Sequence, residues 1–315
     1  MSENEYDVVV VGGSAAGLSA ALVLTRARRR VAVVDSGSPR NAPAAHMQGF
    51  LSRDGLPPRE LVAIGRAEVA HYGGHLVEDT VTEVVRRDGP CFDVRLASGG
   101  ALTARRVVVA TGLRDEISDV PGAWDRWGRD LLHCPYCHGH EVRDQPLGVL
   151  GQGSGTVQHA LLLRQWSADV VLFTHGGTPT TEERAQLDAR GIRVVGQPVR
   201  RLVVENDALQ GLELDDGSVV ARRAVFVRPA LLPNNDLLVG LGCATDNAGW
   251  PTVDPTGATS VPGVWAAGNV ANPRAQVITA AGEGSAAAIA LNNDLVDEDV
   301  RQALIDQPNQ QGATT

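Results

Sequence analysis

Residues 133 to 141 read His-Cys-Pro-Tyr-Cys-His-Gly-His-Glu, and within them Cys134 and Cys137 are the pair whose spacing carries chemistry. Two cysteines separated by two residues in a tight turn can close a small disulfide ring, and the turn stabilises one thiolate, lowering its pKa toward neutrality. The pair therefore reads as a two-electron switch. Zinc competes for the same residues, but a structural zinc site requires a second Cys or His pair at comparable spacing, and the sequence holds none. Cys91 and Cys243 stand alone in apolar or strand-like stretches, where a small buried residue is the plainer reading. Cys134-Pro-Tyr-Cys137-His138 also fits the C-x-x-C-H form of c-type haem attachment. That chemistry accompanies export, and the opening Met-Ser-Glu-Asn-Glu-Tyr-Asp has no positive region followed by an apolar stretch and a cleavage site.

Composition bounds what the switch serves. A chain of 315 residues suggests two domains and is long enough to bury a sizeable core. With 43% apolar residues and 35 glycines it reads as globular and rich in turns. A net charge of −9 argues against nucleic acid or an anionic membrane surface as partner, since both recruit positive charge. All 28 basic residues are arginine. No apolar run reaches the ~18 residues that a membrane span needs. Few cysteines and no export signal point to the cytoplasm, where C-x-x-C is redox or metal chemistry more often than a structural staple.

The elements that must position the pair begin at the first residues. Val8 to Val11 is an apolar strand that runs into Gly12-Gly13-Ser14-Ala15-Ala16-Gly17, then a helix-period segment to Arg28 and a second strand, Val31 to Asp35. In this βαβ opening Gly12 allows the tight turn, Ser14 keeps a close-approach position small, and Gly17 lets the helix pack on the strand. The helix N-terminus would receive a pyrophosphate, and Asp35 closes the second strand where a carboxylate can bind ribose hydroxyls. A second unit begins at Leu147. Gly148 to Leu150 is a short strand, Gly151-Gln152-Gly153-Ser154-Gly155-Thr156 the loop, Val157 to Trp166 a helix and Val170 to Thr174 the next strand. After that strand come His175-Gly176-Gly177-Thr178-Pro179, with neither the acid that binds the ribose of NADH nor arginines for the 2′-phosphate of NADPH; Arg184 is the nearest. NADPH binding at this second unit is therefore doubtful.

On these residues the chain resembles the low-molecular-weight thioredoxin reductase family of flavoproteins nearly from end to end. Further matches are Ala110-Thr111-Gly112 at a strand end, Gly263 to Val270, and Ala275-Gln276-Val277 opening an alanine-rich helix to about Leu295. The resemblance implies an α/β fold of two Rossmann-like, three-layer ββα nucleotide-binding domains, the second inserted in the first. It implies FAD in the first domain, held by Gly12, Ser14, Ala15, Ala16, Gly17, Asp35, Ala110, Thr111, Gly112, Gly268, Asn269, Ala275, Gln276 and Val277. The loop Pro39 to Phe50, with Asn41, His46 and Phe50, is expected to line the flavin and substrate side.

Three departures separate the chain from the reductase pattern. His138 follows the second cysteine where the reductases usually carry an acid, Asn269 stands where they usually carry Asp, and the nicotinamide-site arginines are missing. The chain so resembles the branch that oxidises dithiols to disulfides, as in gliotoxin and holomycin biosynthesis. That branch implies electrons passing from a dithiol through the enzyme's disulfide to FAD and on to O2, with hydrogen peroxide formed. Cys134 is expected to be the exchange thiol, Cys137 the thiol facing the flavin and His138 the base, with His140 the runner-up; a histidine is the side chain best poised to take a proton near neutral pH.

Under this reading residues 1–115 and 247–315 form the FAD domain and 116–246 the inserted domain. The strand-like runs Cys91 to Leu96 and Arg105 to Val109 are expected in a sheet covering the FAD domain, and the polar tail Asp306 to Thr315 is expected to be disordered. The family implies a homodimer. Two other functions fit the same residues: an NADPH-dependent thioredoxin reductase, and a non-catalytic flavoprotein sensing redox state through the cysteine pair. The partner is a small dithiol or a protein thiol such as thioredoxin.

Overall fold

The computed structural model describes residues 4–87, 89, 91–117, 119–151 and 155–307. The chain divides into two compact units, Met1–Arg40 with Arg59–Leu113 and Pro233–Thr315, and Asn41–Pro58 with Arg114–Leu232. The chain returns to the first unit at Pro233, and Leu238 and Cys243 bury in that unit's core. Residues 41–58 cluster with the second unit.

In chain order the first unit contributes β1 (Glu5–Val11), α1 (Ala15–Arg26), β2 (Val31–Asp35), α2 (Pro58–His71), β3 (His75–Glu78), β4 (Val81–Arg86), β5 (Phe92–Leu96) and β6 (Ala101–Val109). The chain crosses through β7 (Leu113–Glu116) into α3 (Ala123–Arg126), β8 (Leu131–Leu132), α4 (Pro135–His138), β9 (Leu147–Leu150), α5 (Thr156–Leu163), β10 (Val170–Phe173) and α6 (Thr181–Ala189). Strands β11 (Arg193–Val195), β12 (Val199–Glu205), β13 (Ala208–Leu214), β14 (Val219–Ala221) and β15 (Ala224–Val227) follow. It returns through β16 (Ala230–Pro233), α7 (Asp236–Gly240), β17 (Val264–Ala266) and α8 (Val277–Asp306).

Unit one is built on a sheet ordered β3-β2-β1-β6-β5-β4, with β17 also on β6. Strands β1, β2, β3, β6 and β17 pair in parallel, while β4, β5 and β6 pair antiparallel. Because side chains alternate along a strand, Val8 and Val10 bury against α1 and α8, while Val9 and Val11 enter a second core with Phe92, Leu238 and Cys243. Each such fully buried valine contributes roughly 1.5–3 kcal/mol. The run Arg105 to Val109 does not belong to a covering sheet: its valines are buried on both faces, and it lies between β1 and β17 in the central one.

In unit two the sheet order is β11-β10-β9-β15-β8, all parallel. One face packs on α5 through Val149, Leu172 and Phe226 with Val157, Ala160 and Leu163; the other packs on the antiparallel sheet β12-β13-β14 through Leu202, Leu209 and Leu212. This is the ββα layering that the resemblance implies, on a doubly wound sheet. Helix α5 stops at Leu163, short of the expected Trp166, and α1 stops at Arg26, before Arg28 turns to φ 66°. Residues 152–154 of the second glycine-rich loop and 308–315 of the tail lie outside the described residues.

Candidate active site: a redox disulfide and a dinucleotide cradle

Cys134 and Cys137 are joined in a disulfide, their Cα atoms 5.2 Å apart. Strand β8 delivers Cys134 to the N-cap of α4, and Pro135 opens the helix, where its fixed φ suits the first turn. The Cys134 Sγ accepts the Cys137 N–H at 3.2 Å, a bond that a Cys134 thiolate would keep and that favours the ionised thiol. Both cysteines are half-buried, whereas Tyr136 between them is exposed and meets Trp166 edge-on at 5.6 Å. A Cβ at Gly139 would lie 2.8 Å from the Trp166 ring, so the glycine lets α4 settle against it. Trp166 and Gly139 are supports that a cysteine spacing does not reveal.

His138 ends α4, directly after Cys137. Burial pushes its pKa below the usual histidine value, and Glu141 opposes that shift. It is thus a neutral imidazole at pH 7, able to accept a proton. His140 is exposed, and its backbone carbonyl accepts from Arg143 at 2.7 Å. Cys243 is buried, its thiol pushed up in pKa by burial, and Cys91 is half-buried. Among the described residues no group of three His, Cys, Asp or Glu side chains could hold a metal ion.

Unit one holds the cradle. At the end of β1, Gly12 takes φ 102°, and a Cβ there would strike the Ala110 carbonyl; one at Gly17 would strike the carbonyl of Gly12. The Asp35 carboxylate accepts from Gly13 N–H at 2.9 Å and from Gly37 N–H at 3.3 Å. Each oxygen keeps lone pairs for ribose hydroxyls. Gly13, unremarked in the sequence, has room for no Cβ against Asp35. Ser14 is the N-cap of α1 but makes no side-chain cap, and no acid stands in the first turn, so the amides of Ala15, Ala16 and Gly17 are left for an anion.

Helix α8 begins the same way, with Gln276 as an N-cap that makes no side-chain bond. Ahead of it, Asn269 donates to the carbonyls of Asn272 and Ala275, both at 2.9 Å. A carboxylate could not donate either bond, which gives the amide a structural reason at this position. Glu283 accepts from Gly268 N–H at 3.0 Å and from Asn272 at 2.6 Å, fixing the same loop. Thr111 donates to the Asn234 carbonyl at 2.6 Å, and Asn234 N–H returns to Gly112 at 3.0 Å, so these two residues hold the return crossing. Asn41 belongs to the second unit and accepts the Ala44 N–H through its carbonyl. The glycine turn, bracketed carboxylate and uncapped helix starts fit the chemistry of FAD.

The second crevice is chemically different. After β10, Thr174 donates to the Gly177 carbonyl at 2.6 Å and His175 accepts Val199 N–H at 2.8 Å, while Arg184 pairs with Asp188 at 3.1 Å. The side chains of Thr174, His175 and Arg184 are thus already engaged in contacts within the unit.

Known proteins place this arrangement. Over 96% of both chains the structure resembles that of HlmI, with 59% sequence identity and a TM-score of 0.94. Thioredoxin reductase sirT of Leptosphaeria maculans is 31% identical over 313 residues, 94% of this chain and 96% of that one. The chain spans about half, 48%, of a thioredoxin reductase-type protein of Arthroderma benhamiae, 32% identical over 194 residues. Among the described residues no helix is long and apolar enough to cross a membrane. With its disulfide set on a doubly wound sheet and the family profile matched over residues 6–284, the chain belongs to the pyridine nucleotide-disulphide oxidoreductases and is a thioredoxin reductase-like enzyme of that flavoprotein family.

Proposed function

We propose that this oxidoreductase oxidises a substrate dithiol to a disulfide through Cys134 and Cys137. The observation that carries the direction is His138, a half-buried neutral imidazole one residue after Cys137, because oxidation must remove two protons with two electrons. A substrate thiolate attacks the Cys134 sulfur, breaking the Cys134–Cys137 bond and releasing the Cys137 thiolate. The second substrate thiol attacks the substrate sulfur of this mixed disulfide, closing the product and releasing Cys134. His138 takes a proton in this exchange, with His140 the alternative acceptor. FAD, bound by the cradle residues around Gly12, Asp35, Gly268 and Gln276, would supply the two-electron acceptor that links the enzyme dithiol to O2. The balance is one dithiol and one O2 consumed for one disulfide and one H2O2.

The names of relatives favour a second reading, an NADPH-dependent thioredoxin-disulfide reductase. An anaerobic titration separates the two. Loss of flavin absorbance on adding a small dithiol alone, with colour and peroxide returning in air, supports the oxidase. Rapid saturable bleaching by NADPH would replace it with the reductase. Under either reading the partners are a small dithiol or a protein thiol such as thioredoxin, and the protein works as a homodimer in the cytoplasm.

A further inference from the structure

The carboxyl edge of the second unit's sheet gathers basic groups that the redox chemistry does not use. Its topological switch point lies between β9 and β15, the place where doubly wound sheets bind ligands. Arg228 leaves the end of β15 there and folds over the start of α5, with Nη1 donating to the Gly155 carbonyl at 3.1 Å. Among the described residues no carboxylate pairs with it, and its side chain stays exposed.

His159, on the second turn of α5, is 6% exposed, and both of its ring nitrogens lack a hydrogen-bond partner. Its ring stands edge-on to Phe226 at 6.1 Å, on the same side of β15 as Arg228 two residues on. Burial chiefly, then the nearby charges of His133 and Arg228, lower its pKa to about 4 against the weaker opposing effect of the nearby His133 backbone. A neutral imidazole still offers one N–H. The eight-residue α5 starts at Gly155 with no side-chain cap and no acid in its first turn. A buried imidazole with no hydrogen-bond partner, beside a guanidinium that meets a carbonyl but no carboxylate and an uncapped helix start, is a donor set without an anion.

This donor set adjoins the disulfide. Strands β8 and β15 pair with Leu132 opposite Phe226, and His133 Nδ1 contacts the Val227 carbonyl at 3.3 Å. Cys134 and Arg228 each lie two residues beyond the last paired residues of these strands, Leu132 and Phe226. Leu132 and Phe226 both bury in the core shared with α5, and Cys134 and Arg228 follow them at the same alternation.

We infer that Arg228, His159 and the α5 N-terminus form a receptor for an anionic group on the dithiol substrate, so that the enzyme prefers dithiols carrying a carboxylate a short chain away from their sulfurs. This rests on the dithiol-oxidising reading. In place of a nucleotide pyrophosphate, the crevice would then anchor the substrate while its thiols reach Cys134.

The test compares dihydrolipoate with its neutral amide, dihydrolipoamide, which share one dithiol. The FAD-loaded enzyme should show a kcat/KM ratio of acid to amide of about tenfold, falling to about one in Arg228→Gln, and partly recovering in Arg228→Lys. A ratio near one in the unaltered enzyme, or a ratio that Arg228→Gln leaves in place, would overturn the inference. Failure to turn over either dithiol would instead strike the oxidase reading. In that case calorimetric binding of oxidised lipoate and lipoamide decides: tighter lipoate binding that Arg228→Gln abolishes supports the receptor, and equal affinities reject it.

Discussion

His138 follows Cys137 at the end of α4, where burial holds the imidazole neutral at pH values at which a free histidine begins to protonate. Replacing it by Gln should slow dithiol oxidation by ~10²-fold while FAD content stays unchanged. The acid limb of the kcat/KM profile should lie below the usual histidine range, since the base loses competence only as pH falls through its lowered pKa. His140→Gln should leave that limb in place. Turnover unaffected by His138→Gln from about pH 6 to about pH 9 would remove this residue from the reaction. His159 makes a different prediction, about stability. Its folded pKa is depressed to about 4, so the unfolded chain takes up the proton first as pH falls. The stabilisation is complete above about pH 6.5 and is lost as pH drops toward 4, a change of about 3 kcal/mol. Urea denaturation at stepped pH should show this slope, and His159→Leu should flatten it. An identical slope in that variant would place the acid sensitivity elsewhere.

At the scale of elements, α8 shows how far the sequence could be read. The alanine-rich segment that opens at Ala275-Gln276-Val277 is expected to be helical only to about Leu295. The helix in fact runs to Asp306, where its carboxylates meet arginines of β6 and of the loop after α1. Arg106 pairs with Asp294 and Glu298, both at 2.5 Å; Arg105 reaches Asp299 at 2.6 Å and Asp7 at 3.1 Å; Arg29 reaches Asp299 at 2.8 Å. Arg106 is almost wholly buried while its partners remain partly wet. Arg106→Ala should therefore cost about 2 kcal/mol, less than breaking a pair buried on both sides, because the carboxylates can rehydrate. An unchanged urea midpoint would mean the network is too solvated to hold the helix. The first βαβ element was legible for the opposite reason: Val8 to Val11, the glycines and Asp35 act through neighbours in sequence or along one turn. Glu283 was not, since its partner is the Gly268 backbone fifteen residues earlier, a contact made only by folding. Nor was the central place of Arg105 to Val109, because an apolar run does not state which strands flank it.

For the molecule as a whole, the outer side of α8 sets the question of assembly. Ile278, Ile289, Val296, Val300 and Leu304 are all exposed, and at ~100° per residue they fall on one stripe, opposite Ala287, Leu291 and Leu295 in the core. The stripe is about 39 Å long at helical rise. An exposed apolar stripe of that length is unusual for a monomer. A second copy related by a two-fold axis would lay the same stripe against itself, burying it without requiring any other partner. The purified protein is accordingly expected to sediment as a dimer at micromolar concentration, and more firmly so in high salt as repulsion is screened. Val296→Asp with Val300→Asp should give monomers that still bind FAD, because both residues lie on the face of α8 turned away from the cradle-side core. Monomeric behaviour of the unaltered protein across that concentration range would rule the two-fold stripe out as the assembly surface.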